Sequence, residues 1–131
     1  MKLQFHHIGD ACLDLDSETR RLAVLGYAPE GPDFTDPIQG VMGRFLSGGG
    51  PRLELLAPLN TSGMLTPWLK AGVKLYHLGY ETADLAGAVA QLKAERARVM
   101  VQPVEAVAFA QRKIAFLLLP NMLLIELIAT T

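Results

Sequence analysis

Apolar and polar positions alternate along this chain in short runs, and the runs come in two successive sets. Leu3 to Ala11 reads as a strand, and Asp16-Ser17-Glu18-Thr19 as a helix start. There Asp16 or Ser17 accepts the free amides, with acids in the first turn. Leu22 and Leu25 supply the apolar stripe of that helix and Gly26 ends it. Gly31 to Pro37 reads as loop. Val41 to Ser47 and Arg52 to Ala57 form a strand pair joined by Gly48-Gly49-Gly50-Pro51. Pro58 to Gly72 is a connector with a short helix, Gly63 to Ala71, which admits Pro67 only near its start. The second set opens with a strand, Leu75 to Glu81. A helix capped by Thr82 or Asp84 then runs to about Arg96. Strands follow around Val99 to Val104, Ile114 to Leu119 and Leu123 to Ala129, with Pro120-Asn121 as the last turn.

The two sets are copies of one pattern. Phe5-His6-His7-Ile8-Gly9 is echoed by Leu75-Tyr76-His77-Leu78-Gly79, an offset of 70 that also maps Asp14-Leu15 onto Asp84-Leu85 and Leu22 onto Leu92. Arg52-Leu53-Glu54-Leu55-Leu56-Ala57 is echoed by Leu124-Ile125-Glu126-Leu127-Ile128-Ala129, with Glu126 following Glu54 by 72. Each half therefore opens on a histidine and closes on a glutamate, both inside apolar strands. The architecture expected is α+β, two βαβββ modules in tandem forming one curved mixed sheet. The whole chain, 1–131, reads as a single domain: module one 1–59, connector 60–72, module two 73–131.

Side chains alternate across a strand. Glu54 thus opposes Leu53, Leu55 and Ala57, and Glu126 opposes Ile125, Leu127 and Ala129. The apolar sets claim the helix-covered face. The glutamates take the concave one, together with His7 and His77. A carboxylate there is costly unless paired or bound to a cation. Two imidazoles and two carboxylates suit Zn²⁺, Ni²⁺, Co²⁺, Mn²⁺ or Fe²⁺ better than Mg²⁺ or Ca²⁺. His7, Glu54, His77 and Glu126 are the candidate metal ligands. His6, on the other face of its strand, reads as a satisfied core residue.

Composition narrows the class. Half of the 131 residues are apolar and 19% are charged, which excludes disorder. A net charge of −1 gives no reason to invoke nucleic acid. Cys12 is the lone cysteine, so no internal disulfide forms and a reducing, cytoplasmic setting is expected. Neither a signal peptide nor a membrane span is legible. Cys12 reads as packing, as do Leu65, Trp68 and Leu69 (core or subunit interface) and Tyr76 and Tyr80, which face away from His77. Arg44, Arg52, Arg112 and Lys113 are basic positions at sheet rims. Of these, Arg44, Arg112 and Lys113 are the candidates for holding a substrate's anionic tail.

On the repeat and its four donors, the chain resembles the vicinal oxygen chelate superfamily. Its members include glyoxalase I, methylmalonyl-CoA epimerase, extradiol dioxygenases and antibiotic-resistance proteins. The resemblance covers essentially the whole chain. It implies one divalent ion per subunit (Zn, Ni, Co or Mn) at His7, Glu54, His77 and Glu126, and a metal-dependent lyase or isomerase that moves a proton alpha to a carbonyl through a metal-stabilised enolate. The implied substrate is a thiol adduct of a 2-oxoaldehyde or an acyl-CoA thioester, with Glu126 and Glu54 as the catalytic carboxylates. A His/Glu/His/Glu set is similar to that of bacterial glyoxalase I, a lactoylglutathione lyase, although Ala11 stands where that enzyme has an arginine for glutathione. Leu119-Pro120-Asn121-Met122 also departs from the family's Asp-Pro-x-Gly turn. Ala57-Pro58-Leu59 and the Trp68-Leu69 connector resemble methylmalonyl-CoA epimerase instead. There Gly43 stands at the second base's position, and Glu54 replaces the usual glutamine. An acyl-CoA epimerase and a non-catalytic small-molecule-binding or resistance protein are the alternatives. A fourth ligand argues against an extradiol dioxygenase. Open strand edges and high apolar content predict a homodimer.

Overall fold

The computed structural model describes residues 1–60 and 63–131. Thr61 and Ser62 of the expected connector lie outside the described residues. The fold is α+β, with nine strands and three α-helices among the described residues. The chain divides into two compact units, residues 7–76 and residues 77–131 together with 1–6. The connector thus belongs with the first module, and the first six residues with the second.

In the first unit, β1 (Gln4–Ala11) pairs parallel with β5 (Leu53–Pro58), and β5 pairs antiparallel with β4 (Val41–Ser47). β2 (Ala28–Pro29) and β3 (Phe34–Asp36) both add antiparallel to β4. The stretch expected as loop from Gly31 to Pro37 therefore contains a strand. Three residues among Gly, Pro and Asp are too few to show a period of two. Helix α1 (Leu15–Ala23) covers one face of the sheet. Beneath it, Leu53, Leu55, Ala57, Leu46, Cys12, Leu15 and Tyr27 form the core.

The second unit repeats the plan. β6 (Leu75–Thr82) pairs parallel with β9 (Leu124–Ala129), followed by antiparallel β8 (Lys113–Leu118) and β7 (Arg98–Glu105). Helix α3 (Leu85–Ala94) packs over a core of Ala88, Ala97, Ala115, Leu117, Ile125 and Leu127. The first residues of the chain join this unit. Phe5 lies edge-on to Tyr80 with centroids 5.8 Å apart, and Leu3 packs against the core. His6, expected in the core, is half-buried and edge-on to Phe109.

Both long helices start on the repeated aspartate. Asp14, extended at φ −145°, accepts from the amides of Asp16 and Ser17 and from the Ser17 hydroxyl. This corrects the expected cap at Asp16 or Ser17, which sit inside the first turn. Asp84 accepts from the Gly87 amide. The helices end at Ala23 and Ala94, short of Gly26 and Arg96, which take positive φ in the turns beyond. The connector helix α2 is Thr66–Ala71, shorter than Gly63 to Ala71, and Gly72 closes it in the left-handed conformation. Trp68 lies against Tyr76, centroids 5.6 Å apart, and Leu65 is buried.

A cluster of charged groups ties Lys74, between α2 and β6, to β1 and α1. Lys74 Nζ donates to the Ala11 carbonyl at 2.7 Å and pairs with Glu18 at 2.8 Å and with Asp10 at 3.4 Å. Its own carbonyl receives the Ala11 amide at 2.8 Å. Asp10 is 1% exposed, and burial, reinforced by the neighbouring Glu18, pushes its carboxyl up to about 8. Burial opposes ionisation of Glu18 too, but hydrogen bonds from Asp10 and Lys74 outweigh it and hold Glu18 below its ordinary value. Asp10 therefore keeps its proton in the folded protein over a range where the unfolded chain has released it. That makes its contribution to stability fall as pH rises from about 4 to about 8. Urea midpoints measured from pH 5 to 8.5 are expected to decline in the wild type and to decline less in Asp10→Asn. Equal slopes in the two proteins would exclude this origin.

Candidate metal centre

Each module builds a His–Glu pair with the same three strands. In the first, Glu54 on β5 stands opposite Gly9 on parallel β1 and opposite Phe45 on antiparallel β4. In the second, Glu126 on β9 stands opposite Gly79 on β6 and Phe116 on β8. The histidine precedes that glycine by two positions and shares its face. His7 Nε2 lies 3.1 Å from Glu54 Oε1, and His77 Nε2 lies 3.3 Å from Glu126 Oε1. All four side chains are buried, the most exposed residue reaching 3%.

An aromatic ring fixes each imidazole. Phe45 meets His7 edge-on with centroids 5.9 Å apart, and Phe116 meets His77 edge-on at 5.2 Å. These edge-to-face contacts leave Nε2 turned to the carboxylate and limit rotation of the ring. The two phenylalanines are not among the residues expected at the site, although they recur one strand before each glutamate, at an offset of 71. That recurrence is the signal that could have found them.

The donor chemistry suits a divalent ion. Two ligands in adjacent positions, each about 2.1 Å from a metal, stand roughly 3.0–3.4 Å apart. The two Nε2–Oε1 separations fall in that range. Buried carboxylates beside imidazoles need either a proton or a cation to offset their desolvation. Imidazole nitrogen with carboxylate oxygen favours a first-row transition metal or zinc.

The expected tail-binding residues are not brought to these pairs. Arg44 alternates with Phe45 on β4 and so lies on the helix-covered face. There it donates to Asp33 at 2.7 and 2.8 Å, to Asp16 at 2.9 Å and to Thr19 at 2.9 Å. Hydrogen bonds donated to Asp33 hold its guanidinium above the ordinary arginine range and draw Asp33 below its own. Arg112 donates to Glu81 at 3.0 Å and to the Ala129 carbonyl at 2.9 Å, with Phe109 beneath it. Lys113 is exposed at the start of β8, on the rim of a cleft of about 490 Å³ shared with Asp84, Glu105 and Arg112. Arg52 pairs with Glu30 at 2.9 Å. Cys12 packs in the first core, where burial pushes its thiol up to about 12.

A family profile described as the glyoxalase/bleomycin resistance protein/dioxygenase superfamily matches residues 6–116. The chain belongs to that superfamily. Solved structures of similar fold include a hypothetical protein from Bacillus halodurans C-125, 21% identical with a TM-score of 0.82, covering 100% of this chain and 96% of that one. A variant of Streptomyces coelicolor methylmalonyl-CoA epimerase in complex with 2-nitronate-propionyl-CoA is 26% identical, with a TM-score of 0.80 and 98% of each chain covered. A methylmalonyl-CoA epimerase in complex with methylmalonyl-CoA and NH4+ is also 26% identical, with a TM-score of 0.82 over 100% of this chain and 96% of that one. Among curated proteins no sequence matches. The superfamily and the α+β fold expected from the repeat are both found.

Protein purified without chelator is expected to carry one divalent ion per chain by elemental analysis. Removing it with chelator should lower the melting temperature, because the ion stabilises only the folded state. His77→Ala should lose most of the metal. Full occupancy in His7→Ala/His77→Ala protein would refute the assignment.

Proposed function

We propose that the protein is a divalent-metal-dependent enzyme of the glyoxalase-like kind, moving a proton alpha to a carbonyl. The reading is carried by one observation: two buried His–Glu pairs, in equivalent register, each with the separation of adjacent ligands. In this reading His7, Glu54, His77 and Glu126 hold a single ion. Bound there, it would polarise a substrate carbonyl and make the adjacent C–H more acidic.

The chain's own residues do the rest. Glu126 takes the carbon-bound proton and Glu54 returns it. His7 and His77, locked by Phe45 and Phe116, keep the carboxylates oriented. The substrate class is a small 2-oxo or 2-methyl acid held as a thiohemiacetal or thioester. Neighbours in complex with methylmalonyl-CoA and with its nitronate analogue support an acyl-CoA thioester as the second reading. The four-donor set and the glycine at position 43 favour the glyoxalase-like one.

NMR in deuterated water, with the hemithioacetal of methylglyoxal and glutathione beside methylmalonyl-CoA, tests the two readings together. Glu126→Gln and Glu54→Gln are each expected to lower turnover by several orders of magnitude, each tenfold being about 1.4 kcal/mol of barrier. Turnover unchanged in both variants, with metal still bound, would overturn the proposal.

We also propose that the protein works as a homodimer. β7 ends the strand order of its unit, and its outward edge meets no other strand among the described residues. Such an edge invites pairing with a second copy. Light scattering at micromolar concentration is expected to give twice the chain's 14.2 kDa; the monomer mass would refute it.

A further inference from the structure

On the inner face of module one, the strand positions beside the His7–Glu54 pair run Phe45 and then Gly43. Residues 43 and 45 of β4 stand opposite Leu56 and Glu54 of β5, so both project to the glutamate's side. Two residues along a strand span about 6.8 Å. A carboxylate side chain at position 43 would therefore extend over the face that carries Glu54. The space above Gly43 is already taken. Phe34 of β3 is its cross-strand partner, and a Cβ built on residue 43 would overlap the tip of the Phe34 ring at Cζ, Cε1 and Cε2. The Phe34 ring continues the wall, 5.8 Å from Phe45, which in turn lies 5.9 Å from His7.

We propose that Phe34 is a specificity-determining residue: seated on Gly43, it bars any proton-carrying side chain from that position and presents a hydrocarbon surface to the substrate's substituent. The inference rests on the proton-transfer reading above and adds two consequences to it. Beside the His7–Glu54 pair this face of module one carries Phe45, Phe34 and Leu56, and the Asp36 carboxylate opposite Val41 is held by the Ile38 and Gln39 amides and the Gln39 side chain. On the reading that one ion holds both Glu126 and Glu54, both carboxylates approach the carbon from the ion's side; with no acid at position 43 the proton returns to that face, and hydrogen exchanges with solvent without inversion. A ring rather than a flexible side chain also sets a fixed limit on the substituent's length.

Four proteins test this: wild type, Gly43→Ala, Phe34→Ala and Phe34→Ala/Gly43→Glu. Gly43→Ala should destabilise sharply, and adding Phe34→Ala should restore much of the loss, since the ring that clashes is gone. A double substitution merely as destabilised as the sum of its parts would overturn the packing on which the proposal stands. With methylmalonyl-CoA of one configuration in deuterated water, the wild type should exchange the 2-hydrogen at least tenfold faster than it epimerises. In Phe34→Ala/Gly43→Glu that ratio should fall toward one. Phe34→Ala alone should raise kcat/KM for ethylmalonyl-CoA relative to methylmalonyl-CoA by about tenfold, the effect of one methylene in an apolar pocket. Wild-type epimerisation as fast as exchange would overturn the proposal while leaving the proton-transfer reading intact. Metal-loaded wild type that exchanges no proton on any of these substrates would instead overturn that reading, and the stability cycle would still report on the Phe34–Gly43 packing.

Discussion

The constraint on which this fold turns is the burial of a glutamate in the middle of an otherwise apolar strand, twice. Glu54 is flanked by Leu53 and Leu55, and Glu126 by Ile125 and Leu127, all within 5% of full burial. An ionised carboxylate in that setting is tolerated only where opposite charge or strong hydrogen bonding stands beside it. Each module meets the demand in the same way. The parallel neighbour brings a glycine level with the glutamate, and the histidine two residues earlier reaches back to within about 3 Å. The antiparallel neighbour contributes the phenylalanine that holds the imidazole edge-on. Histidine, glycine, glutamate and phenylalanine thus form a unit of local structure that recurs in the same register in both modules.

How much of this was legible in the chain depends on the length over which a residue's neighbours act. The facing of Glu54 and Glu126 away from the apolar positions beside them follows from strand alternation, and the structure puts those apolar neighbours in the helix-covered cores. Asp14 and Asp84 recur at the offset of the histidines, yet composition alone puts the first cap two or three residues later. Asp16, Ser17 and Glu18 also satisfy the composition of a helix start, and only the extended backbone at Asp14 decides between them. β3 and the ties of Arg44 were not legible. A three-residue strand has no period, and Arg44 finds its acids in the first turn of α1 and in the 31–37 segment, 28 and 11 positions away. The same is true of Lys74, which reads as an ordinary surface lysine but holds the chain before β6 to the end of β1 through Ala11 and Asp10 and to α1 through Glu18.

The two kinds of charged cluster behave differently for a physical reason. Around Lys74, one cation faces two carboxylates, and the surplus negative charge is relieved by a proton kept on Asp10. That arrangement is self-contained and lies on the helix side of the sheet, with Cys12 and Leu15 close by in the core. The His–Glu pairs lie on the opposite side, where the donors are nitrogen and oxygen lone pairs with similar spacing in both modules. The first cluster has the makings of a structural fastening; the second has the makings of a ligand set.

The same comparison limits what can be carried over from structures of similar fold. A methylmalonyl-CoA epimerase shares nearly the whole length of this chain at 26% identity, so the scaffold is common to both. Reaction outcome, however, depends on which side chains the scaffold points at the reacting carbon. At position 43 this chain has no side chain, and the neighbouring strand has filled the space with Phe34. A glycine alone could be an accident of drift, reversible by one substitution. A glycine whose missing side chain is replaced by a packed aromatic ring is not reversible in that way, because restoring the side chain first requires removing the ring. Position 43 and position 34 are therefore coupled by packing, and a side chain larger than hydrogen at the one calls for a smaller side chain at the other.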